Sequence, residues 1–120
     1  MEANQLITHA VHALVDKKAT RLVLLDVQGI SDLCDYQLIC SGSNERQTRA
    51  IAEGVKSELS KQGKIKPFRS EGIEGGNWIL LDYGDLSVHI FYEEHRDHYA
   101  LEEIWSNAKT LTIPNHEPNR

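Results

Sequence analysis

The stretch Glu71–Tyr92, EGIEGGNWILLDYGDLSVHIFY, decides the fold. Trp78–Tyr83 and Leu86–Tyr92 are apolar runs rich in strand formers, and Gly84-Asp85 between them suits a tight turn. Together they predict a β-hairpin. A two-residue turn pairs Tyr83 with Leu86, and strand alternation then sorts the side chains. Ile79, Leu81, Tyr83, Leu86, Val88, Ile90 and Tyr92 share one face, nearly all apolar and suited to packing on helices. Trp78, Leu80, Asp82, Ser87, His89 and Phe91 share the other. That face sets two large aromatics beside Asp82, Ser87 and His89. It is too polar for a core and too apolar for a plain solvent face.

Working outward, the flanking segments supply what the hairpin packs on. Asn4–Lys18 reads as an amphipathic helix, with Ile7, Ala10, Val11, Leu14 and Val15 on one stripe. Arg21–Val27 is a strand whose apolar run implies burial on both faces, and Asp35–Ser41 is a second strand antiparallel to it. Ser43 or Asn44 caps the next helix, with Asn44 and Gln47 spaced as a capping box. Its buried stripe is Thr48, Ile51, Ala52, Val55 and Leu59, and Gly63 stops it. A short edge strand is expected at Ile65–Phe68. After the hairpin, Glu93–Asp97 reads as a polar link and His98–Ala108 as a last helix, buried through Leu101, Ile104, Trp105 and Ala108.

The order α-β-β-α-(β)-β-β-α predicts an α/β (α+β) fold. One mixed, mainly antiparallel sheet of four to five strands carries helices chiefly on one face. A single domain is expected over residues 1–109, followed by a polar, disordered tail over residues 110–120.

The 120 residues suffice for one core, and 40% hydrophobic with 26% charged residues is ordinary for a soluble globular protein. Eighteen acids against 13 bases give a net charge of −5, which disfavours a general nucleic-acid binder. No apolar run reaches the ~20 residues of a membrane span, and the N-terminus does not read as a signal peptide. Cys34 and Cys40, without a CxxC pair, read as free thiols of a cytosolic protein.

Catalytic motifs are absent: there is no GxSxG, HExxH or P-loop lysine. Asp82, Asp85 and His89 are close enough in sequence to suggest a metal or nucleotide site, but Asp85 falls in the turn. Ser41-Gly42-Ser43 is compatible with a phosphate cradle and equally with a helix cap. His9 and His12 stand at i, i+3 with no third ligand evident nearby. Glu93, Glu94, His95, Asp97 and His98 form a further charged cluster, which a helix start explains. Against these, Asp82–Glu103 holds seven acids and one base, Arg96, while Arg46–Arg69 is basic. An acidic face bearing aromatics fits a basic protein partner, or else Trp78 and Phe91 are core residues beneath another helix.

The motifs GGNWILLDYGDLSVHIF and HRDHYALEEIW, with LLDVQGISDLCDYQLICSGSNERQ upstream, are similar to those of the ribosomal silencing factor (Iojap-like) family. The similarity runs from Leu6 to Ala108. It implies a nucleotidyltransferase-like domain without that fold's catalytic acids, hence no enzymatic activity and no cofactor or metal. It also implies a homodimer and a cytoplasmic role. The partner implied is the large ribosomal subunit, bound through its protein fourteen on the face that meets the small subunit. Occupying that face blocks subunit joining and represses translation when nutrients are scarce. The alternative is a divergent nucleotide- or metal-binding enzyme of the same fold. Carried onto this chain, the family motif falls on Trp78, Leu80, Leu81, Asp82, Tyr83, Gly84, Asp85, Val88, His89 and Phe91. Trp78, Leu80, Asp82, Tyr83, Asp85 and His89 are the expected partner contacts, with Trp78 as anchor, although the register puts Tyr83 on the helix side. Arg96, Tyr99, Glu102 and Trp105 match the last motif. Trp105 is expected in the core, and Arg96 with Glu102 as an internal pair or a dimer contact.

Overall fold

A computed structural model describes residues 1–99 and 106–114. The elements are α1 (Ala3–Asp16), β1 (Thr20–Asp26), β2 (Tyr36–Gly42), α2 (Glu45–Gly63), β3 (Arg69–Glu71), β4 (Trp78–Asp82), β5 (Leu86–Tyr92), α3 (Glu93–Tyr99) and β6 (Lys109–Leu111). The strands form one six-stranded sheet in the order β3-β4-β5-β2-β1-β6. Every neighbouring pair is antiparallel except β2–β5 at the centre, where Tyr36 pairs with Leu86 and Gly42 with Tyr92.

The hairpin has the register its turn dictates. Trp78 faces Phe91, Leu80 faces His89 and Asp82 faces Ser87. The Tyr83 N–H donates to the Leu86 carbonyl at 2.8 Å. Gly84 takes φ +85°, the left-handed first position of a type II′ turn. The Asp82 carboxylate accepts from the Gly84 N–H at 2.9 Å and so ties the turn to the strand.

One face of the sheet carries α1 and α2. Leu6, Ile7, Ala10, Val11 and Leu14 of α1 and Ile51, Ala52, Val55 and Leu59 of α2 bury Leu81, Leu86, Val88 and Ile90 of the hairpin. Val15, expected on the buried stripe of α1, is exposed instead, while Leu6 and Ala13 are buried. Asn44 caps α2, accepting from the Gln47 N–H at 2.8 Å. Gln47 reaches back to the Ser43 N–H (2.6 Å) and clamps the end of α1 by donating to the Lys17 and Lys18 carbonyls. At the other end, Gly63 stays helical and Lys64 takes the left-handed cap, φ 54°. The opposite face carries a smaller cluster: Leu25, Val27, Cys34, Ile39 and Phe91, with Val23, Trp78 and Ala108 against it.

Four expectations are corrected. The sheet has six strands, not four or five. The edge strand is Arg69–Glu71 rather than Ile65–Phe68: Pro67 has no N–H, and pairing begins where the Phe68 N–H reaches the Asp82 carbonyl at 2.7 Å. Glu93–Asp97 is not a link but most of α3, held by Arg96, whose guanidinium donates to the Arg21 carbonyl (2.7 Å) and the Ser41 hydroxyl (2.8 Å). Thr110 and Leu111, expected in the tail, belong to the sheet: Lys109–Leu111 pairs with Leu24–Asp26, and Ile113 is buried on the helix side. Of the expected last helix, residues 100–105, with Leu101, Glu102, Ile104 and Trp105, lie outside the described residues, as do 115–120, and Ser106, Asn107 and Ala108 form a turn rather than helix.

Candidate partner-binding face

On the face away from α1 and α2, the register lays out rows across the sheet. Trp78, Phe91 and Ser41 form one row; Leu80, His89, Ile39 and Val23 the next; Asp82, Ser87, Gln37 and Leu25 a third. Glu71 and Arg69 of β3 extend the second and third rows outward beside Leu80 and Asp82. Exposure follows the strands and not the rows. Phe91, Ser87, Gln37 and His89 are buried, whereas Trp78, Leu80 and Asp82, nearer the β3 edge, are half-buried.

Trp78 is therefore partly core and partly surface. Its ring lies 5.1 Å from that of Phe91 and 6.0 Å from that of His89. Its Nε1–H donates to His89 Nδ1 at 3.0 Å. A nitrogen that accepts carries no proton, so His89 is the neutral tautomer with hydrogen on Nε2. Burial acts the same way and pulls its pKa down to about 4. His89 thus holds the tryptophan in place and adds no charge.

Of the expected contacts, the structure groups Trp78, Leu80 and Asp82 on one surface, with Asp85 exposed at its end and His89 beneath Trp78. Tyr83 does not join them. It is 5% exposed on the helix side, and burial raises its pKa to about 12. Its hydroxyl finds no hydrogen-bond partner among the described residues. The hairpin register, not the resemblance, places it correctly. Arg96 is likewise 2% exposed and turned inward.

The alternative catalytic grouping does not converge. Asp82 is committed to the turn and to Arg69 (3.9 Å), His89 to Trp78, and Asp85 points from the turn. Ser43 and Asn44 serve as helix-entry partners. For His9 and His12 the structure supplies a neighbour that sequence spacing could not show. Glu58 of α2 lies 3.5 Å from His9 and 3.6 Å from His12, an ionic link between helices whenever a histidine is protonated. Among the described residues no group of three such side chains is arranged as metal ligands.

A second network at the far end of the sheet was also hidden by sequence distance. Arg21, in a left-handed conformation (φ 51°) at a β-bulge, pairs with Glu93 at 2.6 Å and Asp97 at 3.4 Å, while Arg96 holds its carbonyl. Burial disfavours charge on Glu93, but hydrogen bonds from Ser41 and Arg21 outweigh it and hold the carboxyl below the usual range.

A sheet backed by two helices, with a tryptophan anchored by Phe91 and His89 on its other face, defines a small α/β domain. Comparison with known proteins carries the point further. The family model described as "Ribosomal silencing factor during starvation" matches residues 1–120, and the chain belongs to that family. It is 42% identical over 113 residues to a ribosomal silencing factor of Halalkalibacterium halodurans, covering 94% of this chain and 96% of that one. A crystal structure from Bacillus halodurans superposes with a TM-score of 0.81 at 41% identity, covering 92% of this chain and 99% of the other. One from Chromobacterium violaceum gives 0.84 at 30% identity, covering 97% and 95%. The curated relatives are named as ribosomal silencing factors, regulatory proteins and not enzymes. No helix among the described residues is long and apolar enough to cross a membrane.

Proposed function

We propose that this protein binds large-subunit ribosomal protein fourteen through Trp78, Leu80, Asp82 and Asp85, with His89 positioning Trp78. Bound there, it covers the surface that meets the small subunit and represses translation when nutrients are limiting. It acts in the cytoplasm and is a homodimer when free. The observation that carries this reading is the half-buried Trp78, packed on Phe91 and hydrogen-bonded to His89 on the same sheet face as Leu80 and Asp82. A preorganised aromatic on a sheet face that also carries Asp82 and ends at Asp85 suits a basic protein surface, because little side-chain freedom is lost on docking.

Sedimentation with separated ribosomal subunits tests it. The protein should travel with the large subunit and suppress subunit joining. Trp78→Ala should abolish both while the far-ultraviolet dichroism is kept. Unchanged binding by a folded Trp78→Ala would remove this face from the proposal.

A further inference from the structure

One end of the sheet presents a surface that the hairpin face does not account for. There, β1 leaves into the loop of residues 27–35, β4 turns into β5, and the chain enters β3. Three exposed apolar side chains stand at this end: Leu33 and Phe68, each 82% exposed, and Ile30, 46% exposed.

These are not loose segments. The loop is closed by Val27 N–H to the Asp35 carbonyl (2.9 Å) and by the Ile30 and Ser31 N–H groups to the Val27 carbonyl. The Leu33 N–H donates to the Ser31 hydroxyl at 3.1 Å, and Gln28 N–H to the Asp26 carboxylate at 3.0 Å. Cys34 is buried directly after Leu33, which pins the loop while leaving the leucine outside. Phe68 is fixed by its N–H to the Asp82 carbonyl and lies over Gly84, so close that a Cβ there would fall 2.9 Å from its ring. The Asp85 carbonyl accepts from both Asp35 and Tyr36, joining turn and loop into one rim. Asp32, Asp35 and Asp85 lie on that rim, and the chain has no lysine or arginine from Leu22 to Glu45. Of the cations at this end, Arg69 beside Phe68 is paired with Glu71 and Asp82, Lys66 lies two residues before Phe68, and Lys109 stands opposite Asp26.

We infer that this end of the sheet is a second part of the docking surface, contiguous with the Trp78 face through Asp82 and Asp85. Its occupant is a basic segment of a large-subunit ribosomal protein that also offers apolar side chains to Leu33 and Phe68. The inference rests on the ribosome-binding reading above. Ordered loops seldom hold large apolar groups in water without a partner, and the carboxylates select a cationic one.

Binding of the full chain to separated large subunits, measured by sedimentation over a concentration series, decides it. Leu33→Ser and Phe68→Ser should each weaken binding at least tenfold, and the double variant at least a hundredfold. Val15→Ser, an exposed apolar position on the helix layer, should stay within twofold. Because Leu33 and Phe68 are so exposed, both variants should keep the parent's unfolding midpoint. Parent binding with losses below tenfold in the single variants overturns the sheet-end surface alone and leaves the Trp78 face standing. No binding by the parent chain overturns both. Binding of deproteinised large-subunit RNA with the same Leu33 and Phe68 dependence overturns the protein partner.

Discussion

The two faces of the β4–β5 hairpin are built from the same thirteen or so residues and behave differently. On the helix side, Ile79, Leu81, Leu86, Val88 and Ile90 are wholly buried by α1 and α2 and carry no polar group. On the opposite side, Phe91 is as deeply buried, but its neighbours are a histidine, a serine and a tryptophan that hydrogen-bonds. The first face gains stability from volume alone. The second spends part of its burial on holding one aromatic in a fixed pose. That difference separates a surface that makes the fold from one that uses it.

The largest effect expected from breaking this contrast is on the helix side. Leu81→Ala should cost roughly 2–5 kcal/mol of unfolding free energy, seen as a lower denaturant midpoint, because a fully buried leucine leaves a cavity. Ribosome binding per folded molecule should not change. On the other face, acid should act through His89. Its folded pKa of about 4 lies below the ordinary 6.5, so the unfolded chain binds the proton more readily. The contribution from neutral His89 is complete above pH 6.5 and is lost as pH falls toward 4, amounting to about 3 kcal/mol. His89→Gln should flatten that part of the stability–pH curve, while loss from Glu93 begins as pH falls through the ordinary carboxylate range and is complete below its lowered folded pKa. The smallest effect belongs to Trp78→Phe, which keeps a ring against Phe91 but removes the donor to His89 Nδ1. It should cost about 1–2 kcal/mol. With that donor gone, His89 Nδ1 should titrate differently from the parent in a nitrogen-detected NMR series.

The hairpin was legible because its register depends on one short turn, and the alternation that follows is local. Helix entry at Asn44 was legible for the same reason: its partner is three residues away. What escaped depends on distant partners. Thr110 and Leu111 look like the start of a polar tail until β1 offers them an edge. Arg96 meets Arg21 and Ser41 across 75 and 55 residues, and no periodicity marks such a meeting. Of the candidate site, Trp78, Leu80 and Asp82 could be grouped from alternation alone, and the same alternation set Tyr83 apart. Leu33 and Phe68 carry no pattern, since a single apolar residue in a loop says nothing until its exposure is known.

The parallel pairing of β2 with β5 has a kinetic consequence. Leu86 lies fifty residues beyond its partner Tyr36, with α2, β3 and β4 in between. The β4–β5 hairpin closes over a two-residue turn and can form within microseconds of collapse, but the central seam must wait for a long loop to close. Ile39 and Gln37 reach their places beside His89 and Ser87 only when that seam zips. A nascent chain released before residue 86 therefore has neither the seam nor the Trp78 face.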